Sequence, residues 1–333
     1  MKKYIVAFLI GIVAFGFFKL KFNPESILLR HLEKKYNKEF VIAYGGKRNI
    51  GISSWYEAEI CPKELVGTSR EKDKYYWAKG FVENGKGGDT YGKVLLNESA
   101  NNFYLPKLKE LFGENILPVL DLKGGYIEED YIKEMELRNK LYKERPDGNF
   151  NPLSGGIYIF GRVESDEDRE WYRKQIYEFV QFMKQTGTFE YVSIQFKILD
   201  ERCLTNYFKE NKEKLLKAKL VYNTSSDFIA YRQQFLEKAE EEFNQMSEAE
   251  KKNRIDSYLK SDFIPENLVM NGENSYSALY YSGIVSPKFQ EIEPRATGKK
   301  RYYNSINDIK LLNVMKNIYK EYELDENSDI IEE

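Results

Sequence analysis

The chain opens with fifteen apolar, uncharged residues, Tyr4 to Phe18, behind Met1-Lys2-Lys3. They are apolar on every side rather than along one stripe, unlike a helix that covers a globular surface. At about 1.5 Å per residue they span roughly 22 Å. Lys19 and Lys21 can snorkel, so Leu20 and Phe22 extend the span to about 28 Å, close to a bilayer core of about 30 Å. Cleavage as a signal peptide would need small residues before the cut, and Ala14-Phe15-Gly16 matches that pattern weakly. A buried core helix is the other competing reading. The leading expectation is a transmembrane anchor at residues 1–22. Lys2 and Lys3 place the N-terminus in the cytoplasm, and the body then lies outside it.

After the anchor the periodicity changes repeatedly. Asn23-Pro24-Glu25 reads as a helix start, with Leu28, Leu32 and Tyr36 on one face. Phe40 to Tyr44, Gly51 to Ile60 and Tyr75 to Val82 read as strands, separated by Gly45-Gly46 and a polar stretch from Ser69 to Lys74. Their arrangement predicts an antiparallel meander packed on the first helix. A helix from Tyr91 to Phe112 ends at Gly113, a short strand covers Leu117 to Leu122, and a charged helix covers Glu128 to Lys143.

Arg145 to Gly156 is polar and turn-rich, and a strand–helix–strand unit follows it. Ile157 to Val163 is its first strand. Ser165 followed by Asp166, Glu167 and Asp168 supplies a helix cap and an acidic first turn. Ile176, Phe179, Val180 and Met183 populate the helix, and Gly187 ends it. Val192, Ile194, Phe196 and Ile198 alternate along the second strand, Tyr191 to Leu199. Asp227 to Leu259 reads mostly as helix, with an apolar stripe of Phe228, Phe235, Ala239, Phe243 and Met246, and with Glu237, Glu240, Glu241 and Glu242 mainly solvated. Ala278 to Val285 reads as a strand and Ile309 to Tyr319 as a last amphipathic helix. The expected fold class is α+β: an anchor helix at 1–22, α+β subdomains at 23–145 and 156–320, and a solvated acidic tail at 321–333.

Charge removes one class of partner. The 51 basic and 53 acidic side chains nearly cancel, with no dense basic stripe to recruit nucleic acid. Tyr at 26 and Phe at 21 are high, which a composition rich in Lys, Glu, Asn and Ile explains without an aromatic binding surface. Cys61 and Cys203 lie far apart in sequence and read as two buried free thiols rather than a disulfide.

Candidate chemistry is sparse. Gly87-Gly88-Asp89-Thr90-Tyr91-Gly92-Lys93-Val94 has the spacing of a phosphate-binding loop, but Val94 stands where a magnesium-binding hydroxyl is needed. It reads as a turn and a helix start. His31 is the single histidine, so a two-histidine metal site is excluded, and it reads as a satisfied or half-exposed helix residue. Glu57, Glu59, Asp89, Glu98 and Asp121 lie near the expected sheet and are the carboxylates from which an acid–base pair would be drawn. No spacing singles out a pair. No catalytic, cofactor-binding or metal-binding residue is assigned.

The run from the anchor through Lys35-Tyr36-Asn37-Lys38-Glu39-Phe40, a few strands and then Asp89-Thr90-Tyr91 opening a helix resembles a loose group of uncharacterised, membrane-anchored bacterial proteins. In that group a Pro-Lys turn often follows a strand, as Pro62-Lys63 does here, with Cys61 a departure. The resemblance covers about the first 120 residues and implies location and fold class only. The expected function is a membrane-tethered, extracytoplasmic binding or assembly protein, with an envelope hydrolase using paired carboxylates as the alternative. The expected partners are the lipid bilayer, through residues 4–22, and an envelope protein.

Overall fold

The computed structural model describes residues 23–50, 53–122, 124–145, 153–221, 225–263, 278–292 and 301–313. The expected anchor at 1–22 and the expected acidic tail at 321–333 lie outside the described residues. Among those described, no helix is long and apolar enough to cross a membrane. The body is α+β, one antiparallel sheet and one mixed sheet packed with helices. Contacts divide the chain into two units, Met1–Leu95 and Leu96–Glu333.

In the first unit Asn23 caps helix α1 (Pro24–Tyr36) by accepting from the Glu25 N–H at 3.1 Å. Pro24 begins the helix where its missing N–H costs nothing. Strands β1 (Phe40–Ile50), β2 (Ser53–Pro62), β3 (Ala78–Glu83) and β4 (Lys86–Asp89) form an antiparallel meander in chain order. Leu28 and Leu32 of α1 are fully buried with Phe40, Ile60, Ala78 and Val82, which is the packing the helix periodicity predicts. Two boundaries differ: Tyr75 and Tyr76, expected to begin a strand, lie in a short 3-10 helix, Lys74–Tyr76, ahead of β3. Gly45-Gly46 does not separate a pair of strands but lies inside β1, because a Cβ at Gly45 would sit 2.0 Å from the Tyr56 hydroxyl across the ladder. Glycine here makes room for a cross-strand ring rather than a turn.

The second unit is built on a five-stranded sheet of order β5-β6-β7-β8-β9. Helix α2 (Tyr91–Phe112) leads to β5 (Ile116–Leu122), α3 (Tyr131–Glu144) and β6 (Leu153–Gly161). Helix α4 (Asp166–Gln185) then carries the chain over to β7 (Val192–Asp200), which runs parallel to β6. Ser165 and Asp168 close a reciprocal capping box at the start of α4. One sheet face presents Ile157, Ile159, Ile194, Phe196, Ile198 and Ile284 to α2, α3 and α4, and these form the main core. The free edge of β5 is covered by α2: the Asn97 and Asn101 side-chain oxygens accept from the Leu122 and Leu120 N–H groups at 2.9 and 3.1 Å.

The remaining elements are α5 (Asn206–Val221), α6 (Ser225–Gln245), α7 (Glu248–Ser257), β8 (Ala278–Val285), α8 (Pro287–Ile292) and β9 (Leu312–Asn313). Helix α5 has no counterpart in the sequence reading. The expected helix from Ile309 is corrected over its described portion: Leu312–Asn313 pairs with Tyr280 and Tyr281 as a strand, and residues 314–319 lie outside the described residues. The segment before it carries a short 3-10 helix, Ile306–Asp308, and side chains of α4 bind its carbonyls. Arg173, Tyr177, Gln181 and Lys184 donate to backbone carbonyls between Tyr302 and Ile309. The sequence placed a division at 145–156, but Leu153–Gly156 of that stretch belong to β6, which pairs with β5 in one sheet.

Candidate functional site

Asp89 ends β4 and caps α2, its carboxylate accepting from the Tyr91 N–H at 3.0 Å. Three α1 side chains converge on it: His31 Nε2 at 2.9 Å, Lys35 Nζ at 3.3 Å and Tyr36 Oη at 2.6 Å. The Asp89 side chain is 1% exposed. Burial pushes its pKa upward more than any other single cause. Tyr36, His31, Lys35 and the Tyr91 N–H together outweigh burial, and the carboxyl is held below its ordinary range. The loop-like motif at Gly87–Val94 is therefore a strand end and a helix start. His31 is a half-buried helix residue tied to Asp89.

The other candidate carboxylates are engaged separately. Glu57 and Glu59 share one face of β2, where Lys79 and Arg48 meet Glu57 at 3.4 and 3.9 Å and Lys74 meets Glu59 at 3.1 Å. In the second unit Lys260 lies 2.8 Å from Glu98, and Asn97 donates to Asp121 at 2.9 Å. Cys61 and Cys203 are buried free thiols, and burial pushes the Cys61 thiol up, away from nucleophilic use.

Two polar features were not anticipated. The first is a charged network at the end of β7. Asp200 accepts from Arg202 through the backbone N–H, Nε and Nη2 at 2.8–3.0 Å. Arg202 continues to Glu240 at 3.1 Å, Glu240 to Arg162 at 2.9 Å, and Arg162 to Glu201 at 2.8 Å. Glu240, expected in solvent, is thus a structural tie. Glu242 is another correction, since it caps α5 by accepting from the Asn206 and Tyr207 N–H groups at 2.7 and 2.9 Å. Helical periodicity marks these residues as off the apolar stripe but says nothing of what meets them.

The second feature lies on the sheet face opposite the main core. Strand register places cross-strand neighbours on one face. Tyr158, Lys197 and Tyr281 form one row, and Gly156, Gln195 and Gly283 the next. Tyr158 is fully buried and Lys197 is 9% exposed. Lys197 makes no hydrogen bond or ion pair with any described residue, and burial pushes its ammonium down to about 8. A Cβ on Gly156 would lie 2.8 Å from the Tyr158 ring, so that glycine lets the ring lie across the strand. Gly283 is exposed, with no described residue within 4 Å of where its Cβ would stand. The readable signal was a lysine in mid-strand on the face that Val192, Ile194, Phe196 and Ile198 leave free. Among the described residues no group of three or more His, Cys, Asp or Glu is placed to hold a metal ion.

The sequence matches no protein-family profile and no curated protein. Among solved structures it is similar to the crystal structure of a DUF5037 family protein from Ruminococcus gnavus ATCC 29149. The two share 16% identity over 57% of this chain and 78% of that one, with a TM-score of 0.36. At that score the likeness assigns neither fold nor activity.

Proposed function

We propose that this chain is a membrane-tethered, extracytoplasmic binding or assembly protein that works without catalysis. The tether is the apolar run Tyr4 to Phe18 behind two lysines. The observation that carries the non-catalytic reading is the direction in which carboxyls are tuned. Glu39, Asp89, Glu114, Asp168, Glu240 and Glu250 are all held below their ordinary range. For Asp89 and Glu240 burial is the largest single cause and pushes upward, yet hydrogen bonds and cations together outweigh it. A hydrolase working through two carboxyls needs one raised so that it can donate a proton. Asp89, the one candidate carboxylate among them, is tuned the opposite way, as a tie between α1, β4 and α2.

The test is protease accessibility of a C-terminal tag in intact spheroplasts, with membrane and soluble fractions assayed beside it. A tag cleaved from outside, on a protein that stays with the membrane, is the expected result. A protected tag in the soluble fraction would sink the tethered reading.

A further inference from the structure

Helix α1 and strand β1 run in opposite directions. The Tyr56 hydroxyl of β2 donates to Glu25 in the first turn of α1 at 3.1 Å, while Tyr36 at the helix end packs on Phe40, where β1 begins, with ring centroids 5.8 Å apart. The chain therefore enters α1 on the side toward which the β1–β2 hairpin points. Tyr56 pairs with Lys47, and beyond them come Arg48 with Trp55, Asn49 with Ser54 and Ile50 with Ser53. Three further residues on each strand carry the hairpin about 10 Å past that pair. Lys47 to Ile50 are exposed, Ile50 at 73%, and Trp55 is half-buried.

An exposed isoleucine alone is ordinary, and an edge lysine serves to deter strand pairing. Position and company set this tip apart. Arg48, Ile50 and Trp55 share one sheet face, so an indole and an aliphatic chain stand with two cations. No acid lies among residues 47–50 and 53–56; Glu57, one row behind, meets Arg48 at 3.9 Å. Indole and aliphatic groups beside lysine and arginine suit the boundary between water and a bilayer, with the cations on anionic headgroups. The residue before Asn23 is Phe22, where the apolar N-terminal run ends, so the proposed tether joins the body beside this tip. Two cations and two apolar side chains bind lipid weakly by themselves, and a tether makes their contact intramolecular.

We infer that the hairpin tip, through Lys47, Arg48, Ile50 and Trp55, is a second membrane contact that seats on the anionic surface of the bilayer holding the tether. This rests on the tethered reading above and adds which end of the first sheet meets lipid.

The test reconstitutes the full-length chain into vesicles of phosphatidylcholine with phosphatidylglycerol, with a fluorophore on Ile50→Cys. Cys61 and Cys203 are buried, so the label goes to the new thiol. A nitroxide-bearing lipid in the same vesicles should quench that fluorophore several-fold more than one placed on Glu64→Cys, an exposed position past the opposite end of β2. Quenching at position 50 should fall several-fold in phosphatidylcholine alone, and likewise when Lys47→Gln and Arg48→Gln are combined, with Tm unchanged. Equal quenching at positions 50 and 64, or quenching indifferent to both the anionic lipid and the two cations, would overturn the inference. Disulfide-linked dimers through Ile50→Cys without lipid quenching would assign the tip to a second copy of the chain and overturn it as well. If the tag in spheroplasts is cleaved from outside while position 50 stays in water, only the second contact is lost. A protected tag in the soluble fraction removes the tethered reading, and this contact with it.

Discussion

Asp89 and Lys197 are both charged side chains held almost out of water, and they are treated in opposite ways. Asp89 has four donors within 3.3 Å, drawn from α1 and from the start of α2. Lys197 has no partner among the described residues. Burial pushes each toward its neutral form, up for the acid and down for the base. At Asp89 the partners reverse that push; at Lys197 burial acts alone. The comparison separates a charge that the fold uses as a joint from one that the fold leaves open. Depth of burial does not distinguish them. The company of donors and acceptors does.

Making a second unpartnered charge should have the largest effect. Leu32 is fully buried beside Leu28 under the first sheet. Leu32→Asp should destabilise the body by about 4 kcal/mol, read by urea unfolding. An unchanged midpoint would mean that α1 does not pack as described. Next comes Asp89→Ala, which strands His31 and Lys35 and removes the cap of α2. Because those partners are partly exposed, the expected loss is about 2–4 kcal/mol. A loss near zero would erase the distinction between joint and open charge.

Lys197→Met should move stability the other way, gaining about 1–3 kcal/mol by removing an ammonium that burial disfavours. A clear loss would show that the charge has a partner after all. The pH dependence gives the finest discrimination. The folded Lys197 pKa lies below the unfolded value of 10.5, so the unfolded chain binds the extra proton between about 8 and 10.5. The cost of the lysine is full below about 8 and fades as pH rises through that window, closing the gap to Lys197→Met. Asp89 has the reverse sign: its folded pKa is depressed, so its contribution is present above the ordinary aspartate range and is lost as pH falls through the folded value. Acid unfolding of Asp89→Asn should lack that component.

Much of the scaffold was legible because its signals are local. Asn23-Pro24, Ser165 with Asp168, and Gly113 and Gly187 mark helix ends within a few residues of where they fall. Alternation in Val192 to Ile198 identified the core face of β7. What escaped was set by distant contacts. Asp89 could be read as a candidate acid, but not as the meeting point of three side chains more than fifty residues upstream. Glu240 and Glu242 look solvated on a helical wheel, yet one closes an arginine network and the other caps α5. The segment from Tyr302 to Ile309, which holds a short 3-10 helix at Ile306–Asp308, has its carbonyls met by side chains of α4, across more than a hundred residues of sequence. Lys197 was visible as an odd residue in a strand. That no counter-ion stands beside it among the described residues could be seen only with its neighbours in place.

The covering of β5 by two asparagines has a geometric consequence. Asn97 and Asn101 are four helical residues apart, a rise of about 6 Å. Leu122 and Leu120 are two strand residues apart, about 6.6 Å. Helix and strand thus act as two rulers with nearly equal divisions, and the marks drift by about half an ångström at each step. Such a match serves two positions well and degrades after that. The strand does not ask for more. The next N–H on that edge would belong to residue 118, which is Pro118 and has none. The one after, on Ile116, turns back to the Glu114 carbonyl at 2.9 Å. A helix has stood in for a neighbouring strand over the short stretch where the rulers agree, and the proline falls where they begin to diverge.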